Sequence, residues 1–250
     1  MLDLVAAIEH CGLREAAEKL AVEWGVSGSN SGGATVPPRQ ATVTEKREPV
    51  RPLGFRLRGV DVEHPYLSAR GISEPTAAAF GVGFYAGPGL LSRRLVFPIH
   101  NETGQLVAYC GRSLDGTEPR YQFPAGFAKS RVVFNLHRAA VSGEPTVIVV
   151  EGFFDCLKVH QAGFRSVVSL MGAALYDRQR WLLTERFRQI ILMLDGDEPG
   201  RRGSAGIAAR LARWCPVRVI ELAATTQPDQ LPEQTIREIL AKEGVKSESC

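Results

Sequence analysis

Val147-Ile-Val-Val-Glu-Gly152 and Gln189-Ile-Ile-Leu-Met-Leu-Asp-Gly-Asp197 decide how this chain folds. In each, an uncharged, largely β-branched run stops at an acid followed by glycine. Such runs bounded by turn residues read as fully buried strands. Between and around them the rhythm is strand then helix. The pattern predicts strands over 146–150, 166–170, 189–194 and 217–221, with helices near 154–162, 176–186 and 199–213. Continuous apolar strands alternating with helices indicate a parallel sheet covered on both faces. In such sheets ligands bind beyond the carboxyl ends of the strands. Glu151, Asp195 and Asp197 all stand there.

Three carboxylates brought to one sheet edge repel each other unless a positive charge sits among them. Mg²⁺, or Mn²⁺ in its place, meets that need, because it binds a few carboxylates, waters and substrate phosphates. Such an ion can activate a hydroxyl and stabilise charge on a transferring phosphoryl group. The glycines beside the acids are expected to permit a tight turn and the close approach of an anion. The plainer alternative is that Asp195 and Asp197 only cap the helix beginning near Pro199.

Upstream the pattern changes. His64-Pro-Tyr-Leu-Ser-Ala-Arg-Gly71 reads as a short helix ending at Gly71, and Ser73-Glu-Pro-Thr opens another. Runs at 94–100 and 105–110, joined by Asn-Glu-Thr-Gly, form a hairpin signal. Pro98 is expected to place the first of these on an edge or at a bulge. Residues 2–24 carry helical periodicity broken by Gly12, and 27–50 hold no apolar pattern. The expected organisation is a helical segment over 1–26, a flexible linker over 27–56, a smaller α+β subdomain over 57–143, an α/β domain over 144–240 and a tail over 241–250.

Bulk composition narrows the function little. Of 250 residues, 30 are Lys or Arg and 27 Asp or Glu, so the net charge of +3 does not by itself imply a nucleic-acid partner. Arg93-Arg94, Arg201-Arg202 and the group Arg178, Arg180, Arg186 and Arg188 read singly as solvated surface. The five cysteines (Cys11, Cys110, Cys156, Cys215 and Cys250) are dispersed and have no Cys-x-x-Cys spacing. Neither a zinc site nor a disulfide framework is expected, which suits a reducing cytoplasm. No signal peptide or membrane-spanning run is expected.

The acid-bearing stretches, with Val167-Val-Ser-Leu-Met-Gly172 and the extension Asp195-Gly-Asp-Glu-Pro-Gly-Arg201, resemble a Toprim domain, the fold shared by bacterial DnaG-type primases, topoisomerases and some nucleases. The extended form is closer to primases. Tyr66-Leu-Ser-Ala-Arg-Gly71, Arg94-Leu-Val-Phe-Pro-Ile-His100 through Gly111-Arg112, Arg120-Tyr121 and Phe127-Ala-Lys129 resemble the preceding half of a primase core. Roughly residues 60–235 are covered.

The resemblance implies that Glu151 handles the reacting hydroxyl or a metal, that Asp195 and Asp197 bind Mg²⁺, and that Asp155 is an accessory acid. A helix-terminal charge is the alternative for Asp155. Where the family has Asp-Pro-Asp, this chain has Gln227-Pro228-Asp229, which retains Asp229 and places a neutral side chain at the outer metal position. Arg70, Arg112, Arg120 and Lys129 match motif positions on the half that would guide single-stranded template and nucleoside triphosphates; Arg201 joins them as a candidate. Residues 1–20 resemble the helical end of a primase zinc-binding module whose metal ligands would precede residue 1. A separate zinc-binding module or a helicase is therefore an expected partner.

The resemblance implies primer synthesis, in a mobile element or phage among other settings. A Toprim nuclease, with water replacing the hydroxyl, is the enzymatic alternative. A non-catalytic nucleic-acid-binding or partner-docking protein is the other. A topoisomerase would need a nucleophilic Tyr in a separate domain.

Overall fold

The computed structural model describes residues 50–247, all within one compact unit, Glu48–Cys250. The helical segment expected over 1–26, most of the linker expected over 27–56, and residues 248–250 of the tail lie outside the described residues.

The first half builds an antiparallel sheet in the order β1 (Val60–Asp61), β2 (Gly83–Tyr85), β3 (Arg94–His100), β4 (Leu106–Ser113), β5 (Tyr121–Gln122). Two short helices, α1 (Pro65–Ala69) and α2 (Glu74–Phe80), separate β1 from β2. Local chemistry sets their ends. The Ser73 hydroxyl accepts from the Thr76 N–H, Pro75 lies in the first turn, and Gly81 at φ +67° closes α2. The β3–β4 turn is organised by Asn101, whose side-chain oxygen accepts from the N–H groups of Thr103 and Gln105.

Of the two places expected for Pro98, an edge strand or a bulge, the structure shows the neighbourhood of a bulge. The strand itself is interior, flanked by β2 and β4. Pro98 is tolerated because the pairing with β2 stops at Gly83 opposite Val96, so no partner there needs an N–H from residue 98. The register shift with β4 lies just beyond, between Ile99 and His100. Arg94 also departs from the sequence reading: it is buried, and its guanidinium donates to the Pro119 carbonyl at 2.9 Å.

The second half is an all-parallel sheet in the order β7 (Val167–Ser169), β6 (Thr146–Val150), β8 (Gln189–Leu192), β9 (Val217–Val219). The helices are α3 (Leu136–Val141), α4 (Phe153–Gln161), α5 (Asp177–Thr184), α6 (Glu198–Leu211) and α7 (Glu233–Lys242). Side chains alternate between faces with period two. Ile148, Val150 and Ile191 join α4 and α7 on one face. Val147, Val149, Ile190 and Leu192 join α5 and α6 on the other. Both faces are covered, as the apolar runs require.

The two halves share one core. Phe97 of β3 stacks on Phe153 of α4 with ring centroids 4.6 Å apart, and Phe134 meets Phe153 edge-on at 4.8 Å. The Phe134 backbone exchanges two hydrogen bonds with Ser169, adding an antiparallel bridge to the edge strand β7. At the ends, Leu53 N–H donates to the Leu106 carbonyl and Val245 packs on the core. Residues 50–56 and the start of the tail are therefore held by the body of the protein.

Candidate active site

Strands β6 and β8 are neighbours, with Val149 opposite Leu192, and the Met193 N–H donates to the Val149 carbonyl. Glu151 and Asp195 thus leave adjacent strand tips. Their loops are tight for specific reasons. A Cβ on Gly196 would lie 2.1 Å from the Ala223 carbonyl oxygen, and one on Gly200 would lie 2.2 Å from that of Asp195. Only glycine fits either place. What comes close to Gly196 is therefore the chain's own backbone, sealed by a Gly196 N–H to Thr226 carbonyl bond of 2.8 Å, and not the anion expected from the sequence.

The acids divide by what their oxygens already hold. Asp197 is the N-cap of α6: one oxygen accepts from the Gly200 N–H at 2.8 Å. The capping alternative holds for Asp197, whose second oxygen accepts no such bond among the described residues. Asp195 caps nothing. One of its oxygens accepts from the Gln227 amide at 2.7 Å, and the other, Oδ1, is buried with no donor. Asp155 is buried in the first turn of α4 and accepts from two backbone N–H groups, Gly152 at 2.8 Å and Asp229 at 3.0 Å. Asp229, 8% exposed, receives the Arg70 guanidinium on Oδ2, while its Oδ1 has no donor.

Burial, then repulsion from Asp195 and Asp197, pushes the Glu151 carboxyl up to about 7, with Lys129 pulling the other way. Burial also raises Asp195, aided by Asp197 and opposed by the Gln227 hydrogen bond. Asp155 is pushed up to about 7 by burial and by the charges of Asp229 and Asp195. These groups feel one another, yet among the described residues no three or more acids, histidines or cysteines close into a shell that would hold an ion as they stand. The expected convergence is thus one of electrostatic range. Like charges keep apart until a cation screens them. The donor set suits Mg²⁺ or Mn²⁺: all oxygen, partly buried, with Asp195 Oδ1 lacking a donor.

The expected nucleic-acid cations separate similarly. Arg70 is committed to Asp229 and lies over the Phe154 ring at 4.8 Å. Arg112 is buried among the rings of Tyr66, Tyr121 and Phe154, with its Nη1 donating to the Tyr121 hydroxyl at 2.6 Å. Arg112 is thus buried by the rings around it, whereas Arg70 is half-buried and keeps part of its side chain at the surface. Arg201 donates to the Gly196 carbonyl from an exposed position. Arg120 is exposed. Lys129, in the 3₁₀ turn Lys129–Arg131, donates to the Met171 carbonyl at 3.1 Å and acts electrostatically on Glu151. It is the cation that acts on Glu151.

Sequence reasoning missed what positions Lys129. Gln179, 0% exposed, directs its amide nitrogen at the carbonyls of Val132 (3.0 Å), Lys129 (3.2 Å) and Leu170 (3.2 Å), and its oxygen accepts from the Tyr176 N–H. A Gln inside a polar helical stretch gives no sequence signal of burial. The pair His100 and His137, with ring centroids 4.7 Å apart, was missed for the same reason.

Comparison with known proteins follows this geometry. Residues 148–231 match the Toprim-like family, and residues 88–140 match the N-terminal domain of the DNA primase catalytic core. A DNA primase of Staphylococcus aureus is 29% identical over 200 residues, covering 72% of this chain and 32% of the relative. One of Staphylococcus epidermidis is 32% identical over 143 residues, covering 54% and 24%. The chain thus spans about a third or less of the curated relatives it matches. Among solved structures, the zinc-binding and RNA polymerase domains of the Aquifex aeolicus primase align with a TM-score of 0.66 at 22% identity, over 96% of this chain and 70% of that one. A DnaG primase catalytic domain bound to single-stranded DNA aligns at 0.63 and 24% identity, over 72% and 71%. Toprim domains generally use divalent metals. No helix among the described residues is long and apolar enough to cross a membrane. Residues 148–231 are thus a Toprim-like domain, and with the half that precedes it the chain resembles the catalytic core of bacterial DnaG-type DNA primases.

Proposed function

We propose that this chain carries out metal-dependent nucleotidyl transfer, extending a primer on single-stranded DNA from nucleoside triphosphates. The observation that carries this reading is the buried, donorless Asp195 Oδ1 at a strand tip beside that of Glu151. A divalent ion bound by Glu151, Asp195 and Asp197 would neutralise charge on the transferring phosphoryl group. Glu151, whose carboxyl is raised by burial and by its acidic neighbours while no ion is bound, would orient the 3′-hydroxyl for attack on the α-phosphate, with pyrophosphate as the leaving group. Lys129 would hold the triphosphate against the acids. Arg120 and Arg201, both exposed, would contact phosphates without reading sequence.

The test is incorporation of labelled ribonucleotides on a single-stranded DNA template with Mg²⁺ or Mn²⁺. Incorporation by the wild type that is lost in Asp195→Ala supports the reading. Shortening of end-labelled DNA without incorporation would replace it with the nuclease. Salt-sensitive DNA binding with neither activity would replace it with a binding module.

A further inference from the structure

A cation of the protein itself already lies in the acid cluster, and this bears on how many metal ions the cluster takes. Five carboxylates gather beyond the parallel sheet: Glu151, Asp155, Asp195, Asp197 and Asp229. Asp155 has both oxygens on backbone N–H groups. Asp229 carries the guanidinium of Arg70, which reaches it from the C-cap of α1 in the antiparallel half. Gln227, two residues before Asp229, has its amide donating to Asp195 Oδ2 at 2.7 Å. Its place is fixed, because the adjoining Thr226 carbonyl is bonded to Gly196, where no larger residue fits.

The cluster therefore has two unequal parts. The inner part, Glu151, Asp195 and Asp197, offers three carboxylates and, among the described residues, no bonded arginine or lysine. The outer part, Asp155 and Asp229, has one formal positive charge against its two negative ones and two backbone donors besides. Adding a divalent ion there would set it against a guanidinium in a largely buried place, where charge repulsion is weakly screened. The Gln227 amide, neutral and donating, gives Asp195 no carboxylate partner with which to bridge to the outer pair.

We infer that the free protein binds one divalent ion, at Glu151, Asp195 and Asp197, and that Arg70 occupies the outer part of the cluster in place of a second. This rests on the metal-dependent reading above. Arg70 is then a positioning residue: it holds Asp229 and its turn against α4, and joins the two halves of the core across the site.

The test is a titration of the full chain with Mn²⁺, without nucleotide or DNA, counting bound ions by electron paramagnetic resonance. The wild type is expected to bind one ion. Arg70→Gln should raise the count to two by releasing Asp229, and Arg70→Lys, which retains the charge, should leave it at one. Gln227→Asp supplies a second route that leaves Arg70 in place. It removes the donor on Asp195, adds a carboxylate two residues from Asp229, and should likewise bring the count to two. Two ions in the wild type would overturn the inference while leaving the metal-dependent reading intact. So would a count of one in folded Arg70→Gln, or in Gln227→Asp should the Arg70 variant fail to fold. No ion in the wild type would overturn both.

Discussion

Replacing Gln179 by Leu changes a fully buried side chain for one of similar size and strips four hydrogen-bonding partners at once. The Lys129 carbonyl keeps the Val132 N–H as donor, and Tyr176 lies at the surface. The net loss is therefore two buried carbonyls, those of Val132 and Leu170. Leaving a buried polar group unpaired costs about 1–3 kcal/mol, so the variant should lose roughly 3 kcal/mol. For a domain of this size that lowers the melting temperature by roughly 6–12 °C. Thermal unfolding of both proteins under one buffer measures it directly. In the incorporation assay the loosened Lys129 turn should raise the apparent KM for nucleotide more than it lowers kcat. A melting temperature within about 2 °C of wild type would refute the reasoning, because ~1 kcal/mol or less would mean that water or a small shift replaces the amide.

Other substitutions read the charge of the site. Glu151→Gln removes a carboxyl whose folded-state pKa is raised to about 7. A raised acid lowers stability as pH climbs through that value, so in metal-free buffer the variant should melt above wild type at pH 8 and match it near pH 4; Mg²⁺ should stabilise the wild type and not the variant. Asp197→Asn should keep stability, since Asn caps a helix as well as Asp, while weakening Mn²⁺ binding in the same titration; a large loss without metal would make the residue structural. His100, His137 and His160 are each lowered to about 4, chiefly by burial and by the nearby Arg138. Depressed folded-state pKa values give stability that is complete above about 6.5 and is lost as pH falls toward 4. Urea midpoints of a His100→Phe/His137→Phe double variant should therefore fall less steeply than wild type over that window.

Much of the fold was legible because the chain declares it locally. The runs before Glu151 and Asp195 are apolar on both faces, and both faces are covered. Ser73, Pro75 and Gly81 start and stop α2 with their own side chains and backbone. The strand-end acids followed from the same pattern. What was hidden depends on contacts distant in sequence. Pro98 stands on an interior strand and is tolerated where β2 stops short. Arg70 pairs with Asp229, 159 residues away, and Arg112 is buried among rings from three separate elements, and neither partner set can be read from the local motif. Gln179 and His137 are polar residues in helices, and their burial is decided by what packs over them. The two-residue strands β1 and β5 were also beyond reach, since so short a run has no periodicity to read.

The central claim is that Glu151 and Asp195 share one divalent ion. Anomalous diffraction from crystals of the chain grown with Mn²⁺ measures this most directly. A manganese peak ligated by the Glu151 carboxylate and by Asp195 Oδ1 is expected. Saturating Mn²⁺ with no peak between those two side chains would contradict it.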